Sequence, residues 1–239
     1  MKLARRLSVV EPSPTLAVSA KAAKLKAEGI DVVSFGAGEP DFDTPVHIKE
    51  AAKKALDAGA TKYTLVEGTV PLRKAVAKWI GDAHGFAVET NQVIVSSGAK
   101  QSIFNAVFAL IDEGDEVIIP TPAWVSYNDI VKLAGGRPVN VPTKAEENFQ
   151  VRVEDVAKAI TPRTKMILVC SPSNPTGAIY DEATLTGLAR LAVEKNVWLM
   201  TDDIYRTLVY GDGKFFQPAT LGADVRSHMI IIDGVSKAF

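Results

Sequence analysis

Six short, apolar, β-rich runs punctuate the 239-residue sequence, at Gln92–Val95, Glu116–Pro120, Arg137–Val141, Lys165–Val169, Val197–Thr201 and Met229–Asp233. Runs such as Lys165–Val169 lack the in-out alternation of a half-exposed strand, which is the pattern of a strand covered on both faces. Between several of them lie amphipathic stretches of helical period, Gln101–Ile111, Val125–Leu133 and Glu182–Glu194. Val46–Leu56 and Val70–Asp82 read as two further helices ahead of the first run. Buried strands alternating with helices predict a three-layer α/β/α domain around a mostly parallel sheet. Residues 1–45 carry Pro12, Pro14, Pro40 and Pro45 and predict an extended N-terminal arm, which leaves 46–239 as the main domain.

The charge balance removes some functions. Twenty-seven basic against 28 acidic residues give a net charge of −1, without the basic excess that non-specific nucleic-acid binding needs. Cys170 is the single cysteine, so no disulfide can form within the chain, and its apolar run predicts a buried strand thiol. His47, His84 and His228 are scattered without metal-ligand spacing, so no metal is expected. Met1–Leu7 is basic, but Glu11 and Pro12 interrupt any apolar core behind it. The expectation is a cytoplasmic protein with no membrane span and no signal peptide.

In parallel α/β sheets ligands bind beyond the carboxyl ends of the strands, so the residues that follow each run deserve the closest reading. Ser96-Ser97-Gly98-Ala99-Lys100 follows the first run and opens a helix, whose free N–H groups suit an anion; it also suits an ordinary turn. Pro122-Ala123-Trp124 offers an indole that either stacks on a flat ligand or fills the core. In Ser171-Pro172-Ser173-Asn174-Pro175-Thr176-Gly177 the flanking prolines fix the Asn174 amide, a directed hydrogen-bond donor. Thr201-Asp202-Asp203-Ile204-Tyr205 sets a carboxylate at a strand end, where it needs a cationic partner to stay ionised, or else caps a helix. Gly234-Val235-Ser236-Lys237 places a lysine near the sheet, where desolvation favours the neutral amine that attacks aldehydes.

In this order the features resemble the class I and II aminotransferases of fold type I, with the likeness strongest to the bacterial aspartate and aspartate/prephenate branch. Gly36-Ala37-Gly38-Glu39-Pro40-Asp41-Phe42-Asp43-Thr44-Pro45 matches the family's opening signature, and Lys62-Tyr63-Thr64 with Gly68 and Leu72-Arg73 matches a second. The resemblance implies pyridoxal 5′-phosphate as cofactor, with Lys237 as the catalytic lysine forming the internal aldimine. It implies that Asp202, not Asp203, holds the pyridine nitrogen protonated, that Asn174 and Tyr205 bond the ring oxygen, and that Trp124 lies against the ring. Ser97, Gly98, Ala99, Lys100 and Ser236 fall in the phosphate region. Tyr63 reaches the phosphate of a partner subunit, which implies a homodimer. Gly38, Trp124 and Asn174 meet the substrate, an amino acid or 2-oxo acid.

Ala123 departs from the family, which usually carries an aromatic residue there. Family members also continue past the position of Phe239 with an arginine that binds the phosphate and a small domain with an arginine for the substrate carboxylate. The expected activity is transamination of aspartate or glutamate. The alternatives are a β-lyase-type reaction on the same scaffold, a cofactor-binding regulatory domain, and a catalytically weak fragment.

Overall fold

A computed structural model describes residues 2–10, 14–36 and 38–239, with the backbone alone for 14–16. Glu11 and Pro12, and Ala37 of the Gly36–Pro45 motif, lie outside the described residues.

The helices are α1 (Pro14–Ala27), α2 (Val46–Asp57), α3 (Val70–His84), α4 (Ala99–Leu110), α5 (Ser126–Leu133), α6 (Val153–Ala159), α7 (Glu182–Lys195) and the short α8 (Ala223–Arg226). The strands are β1 (Glu116–Thr121), β2 (Arg137–Pro142), β3 (Thr164–Cys170), β4 (Trp198–Asp202) and β5 (Met229–Ile232). They form one five-stranded sheet in the order β2-β1-β3-β4-β5, and every pairing is parallel.

Alternation along each strand divides the core into two layers. Ile118, Ile167, Val169 and Leu199 face the cluster built with α6 and α7, which includes Val156, Leu185 and Leu188. Val117, Ile119, Met166, Leu168 and Met200 face the other, built with α4 and α5, which includes Ile103, Val107 and Ile130. β3 is central and buried on both faces, which is why its run shows no polar alternation. Helix ends follow local chemistry: Thr69 accepts from Leu72 N at the start of α3, and Asp181 accepts from Thr184 N, at 2.7 Å, at the start of α7.

Two expectations are corrected. Gln92–Val95 is not a strand: Thr90–Gln92 is a 3-10 turn, and the extended residues that follow join no ladder among the described residues. Val95 N instead donates to Glu67 O at 3.0 Å, and Ile94 is exposed. A β-rich run needs a neighbouring strand to become one, and the sheet offers it none. The N-terminal arm is not extended throughout either, because Pro14–Ala27 is helical. Proline is tolerated in the first turn of a helix, and the alanines, lysines and Leu25 after it are strong helix formers. Among the described residues no helix is long and apolar enough to cross a membrane.

Register puts the strand ends together. Cys170 is paired with Asp202, and Asp202 with Ile232, so the loops after β3, β4 and β5 leave the sheet at one level. The chain reverses its direction of sheet growth between β1 and β3, since β2 lies on one side of β1 and β3 on the other. Such a switch point opens a crevice at the carboxyl edge.

Candidate active site

Asp202 is the last residue of β4 and is buried. Its Oδ2 accepts the Tyr127 hydroxyl at 2.6 Å, and its Oδ1 accepts Ile204 N at 3.3 Å. Burial raises its pKa, Tyr127 and Ile204 draw it back, and the nearby Asp233 carboxylate adds to the rise. No lysine, arginine or histidine among the described residues forms an ion pair with it. A turn, not a helix, follows β4, so neither aspartate caps a helix; Asp202 accepts from its own turn instead.

Asp203 points elsewhere. It is buried, its Oδ2 accepts from Gln217 Nε2, and burial, with the Asp233 and Asp202 charges behind it, holds its pKa well above the usual carboxylate range. Asp203 is thus turned away from Tyr127 and tied to the 3-10 turn at Pro218–Leu221.

Lys237 stands in a turn beyond β5, half-buried, closed by Ala238 N and Phe239 N donating to Val235 O. Its Nζ donates to Gly38 O at 2.8 Å and lies 5.9 Å from the Tyr205 ring centroid. Tyr205 OH accepts Asn174 Nδ2 at 3.3 Å, and burial raises the phenol's pKa. The loop that presents Asn174 is tied to itself: Gly177 N donates to Ser173 O, Ser173 N to Ala178 O, and Ser171 Oγ accepts Tyr180 N. Gly177 turns at φ 71°, which side-chain-bearing residues adopt only under strain. The Thr121–Pro122, Ser171–Pro172 and Asn174–Pro175 peptides are cis.

Trp124 meets Tyr127 edge to face at 5.4 Å, and Lys100 Nζ lies 4.9 Å from the Trp124 ring. These contacts form two connected sets. One runs Lys100, Trp124, Tyr127, Asp202; the other runs Asn174, Tyr205, Lys237, Gly38. At the start of α4, Gly98 adopts φ 87°, and open space lies where a Cβ would stand. The N–H groups of Ala99 and Lys100 have no partner in their own helix by position, while Ser97 N donates to Gln101 Oε1 at 2.6 Å. Ser236 is exposed in the Lys237 turn. Tyr63 is fully exposed and is not joined to the cluster. Its loop is anchored by the buried Arg73, which donates to Gly68 O and Thr90 O and pairs with Glu67 at 3.3 Å.

The residues present fit pyridoxal phosphate on chemistry visible here. A buried carboxylate without a cation suits a protonated ring nitrogen, an Asn-Tyr pair suits a ring oxygen, a glycine-opened helix start suits a phosphate, and an amine stands nearby. Sequence reasoning missed Tyr127, although its three-residue spacing from Trp124 sets both on one side of the α5 start. It also missed Gln217 and the Arg206–Asp233 pair, whose partners lie 14 and 27 residues apart.

The fold is an α/β domain whose parallel sheet carries a carboxylate at the end of one strand, with an asparagine and a lysine in the turns beyond two others. A family model for aminotransferase class I and II matches residues 30–239, and the chain belongs to that family. It is 48% identical over 241 residues to the aspartate/prephenate aminotransferase of Nitrosomonas europaea, covering 100% of this chain and 60% of that protein. It is 44% identical over 237 residues to a probable aspartate/prephenate aminotransferase of Aquifex aeolicus, covering 99% and 60%. The structure of Thermus thermophilus aspartate aminotransferase with maleate matches at a TM-score of 0.96 and 46% identity, covering 100% of this chain and 62% of that one. The chain thus spans about three fifths of the length of these relatives.

Proposed function

We propose that this chain supplies the cofactor-binding part of an aminotransferase that moves an amino group between an L-amino acid, aspartate or glutamate foremost, and a 2-oxo acid. The observation that carries the reading is Asp202: a buried strand-end carboxylate that accepts from a tyrosine, pairs with no cation, and lies three residues from Tyr205, whose ring faces the Lys237 amine. The dicarboxylic preference rests on the names of the relatives and on the maleate of the Thermus structure.

When bound, pyridoxal phosphate supplies an aldehyde for an amine and a ring that accepts electron density from the substrate Cα. Asp202 would hold the ring nitrogen, Asn174 and Tyr205 the ring oxygen, Trp124 the ring face, and Ser97, Gly98, Ala99, Lys100 and Ser236 the phosphate. Lys237 Nζ would be the amine that holds the cofactor, and as a neutral amine it would serve as general base toward the substrate Cα proton. The Tyr127 hydroxyl keeps Asp202 pointed and favours its ionised form against the cost of burial. Gly38, Trp124 and Asn174 would border the substrate. The full exposure of Tyr63 supports its use by a second copy in a homodimer. Residues 1–45 would act as an arm and part of a smaller domain against the main domain, 46–239. A cytoplasmic setting belongs to the same reading.

Titration with pyridoxal phosphate tests it. The chain is expected to develop a saturable visible band that Lys237→Ala lacks and that L-aspartate, once added, depletes more readily than L-alanine. A band unchanged in Lys237→Ala contradicts the reading.

A further inference from the structure

We propose that Arg206 and Asp233 form a clamp that positions Lys237 relative to Asp202 and Tyr205; this rests on Lys237 being the cofactor lysine. Arg206 closes the turn after β4, and Asp233 is the first residue beyond β5. Arg206 Nε donates to Asp233 Oδ2 at 2.7 Å, with the two side chains 10% and 17% exposed. Asp233 Oδ1 accepts Gly234 N at 2.7 Å. One carboxylate thus receives a guanidinium from the loop of Asp202 and Tyr205 and a backbone N–H from the segment that leads to Ser236 and Lys237.

The arginine is itself fixed. Its backbone N donates to Asp203 O at 2.8 Å, and its guanidinium lies 5.2 Å from the Trp79 ring on α3. His84, at the end of the same helix, lies near both charges, but burial foremost disfavours its imidazolium, so it does not replace Arg206.

The loops do not need this pair to meet, because Asp203 N already donates to Ile232 O at 2.8 Å. Nor is a buried ion pair an efficient source of stability, since desolvation offsets most of its attraction. The carboxylate is also a third acid beside Asp202 and Asp203, where it is repelled unless a cation accompanies it. What the pair adds is direction: two short, charge-assisted bonds fix the angle at which the Gly234–Lys237 segment leaves the sheet. Neither side chain hydrogen-bonds Lys237, so both act through the backbone as positioning residues.

The test uses the pyridoxal-phosphate-loaded chain and its Arg206→Gln, Asp233→Asn and double variants. Two quantities are read: the visible circular dichroism per bound cofactor, and the fraction of cofactor fixed to Lys237 by borohydride. Each single variant is expected to lower the Lys237-bound fraction at limiting cofactor about tenfold and to change the dichroism, with the double variant no worse than the singles. Arg206→Lys, which keeps the charge without the planar fork, is expected to fall between wild type and Arg206→Gln. Should the neutral variants not fold, Arg206→Lys decides alone: a reduced fraction with altered dichroism supports the clamp, and wild-type values overturn it. Variants that melt earlier yet keep wild-type fraction and dichroism also overturn it, leaving a merely structural pair. A wild-type chain labelled elsewhere than Lys237 removes the reading of Lys237 and the clamp with it.

Discussion

Asp202 and Asp203 are adjacent, both buried, and set to different tasks by their neighbours. Asp202 stands at the strand end with a tyrosine donor, while Asp203 is held by Gln217 where burial foremost disfavours its charge. Burial disfavours the Asp203 charge, and asparagine keeps the side chain's shape without that charge, so Asp203→Asn is expected to change stability by less than about 1 kcal/mol and cofactor affinity by less than about threefold. Asp202→Asn removes the carboxylate proposed to meet the ring nitrogen. It is expected to weaken pyridoxal-phosphate binding about ten- to a hundredfold, the loss of one charge-assisted hydrogen bond. Parallel titrations of the two variants decide, and a weaker Asp203→Asn than Asp202→Asn would place the functional carboxylate one residue later.

At the scale of elements, β1 and β3 are joined at their starts by Glu116. Its buried carboxylate accepts Thr161 Oγ1 at 2.5 Å and Arg163 Nη2 at 2.9 Å, and the Thr161 bond foremost lowers its pKa. The sign follows: this stability is present above the unfolded-state pKa near 4.5 and is lost as pH falls through the lower folded value. Glu116→Gln is expected to cost about 1–3 kcal/mol at neutral pH, with the gap to wild type closing in acid; a gap constant with pH denies Glu116 this role. Five of the six β-rich runs form strands; the central β1, β3 and β4 were legible because apolar residues that fill both faces of a buried sheet mark themselves, and the edge strands β2 and β5 from their β-branched content. Gln92–Val95 carried the same mark and failed, because an extended preference is local whereas a ladder needs a distant partner. The Asn174 loop and the Lys237 turn were legible from their motifs. Tyr127 was hidden inside an amphipathic helix, where an aromatic residue reads as core, and nothing local ties Arg206 to Asp233.

At the scale of the molecule, the described residues leave Phe35, Phe42, Tyr63, Val66 and Ile94 exposed, together with the stacked Phe104 and Phe108 on α4. So much apolar surface favours association. This chain alone is expected to sediment as associated species and to bind pyridoxal phosphate more weakly than a chimera carrying the remaining two fifths of a relative such as the Nitrosomonas protein. Equal affinity and equal aspartate turnover would mean that residues 1–239 hold all the binding groups that matter. On the proposed reading the strand ends of this sheet converge on one amine, Lys237 Nζ. The most direct measurement is borohydride reduction of the pyridoxal-phosphate-loaded chain followed by peptide mapping. A single pyridoxyl group is expected, on Lys237, and is lost in Lys237→Ala; a label on Lys100, or on no lysine in a sample shown to hold the cofactor, would rule out Lys237 as that amine.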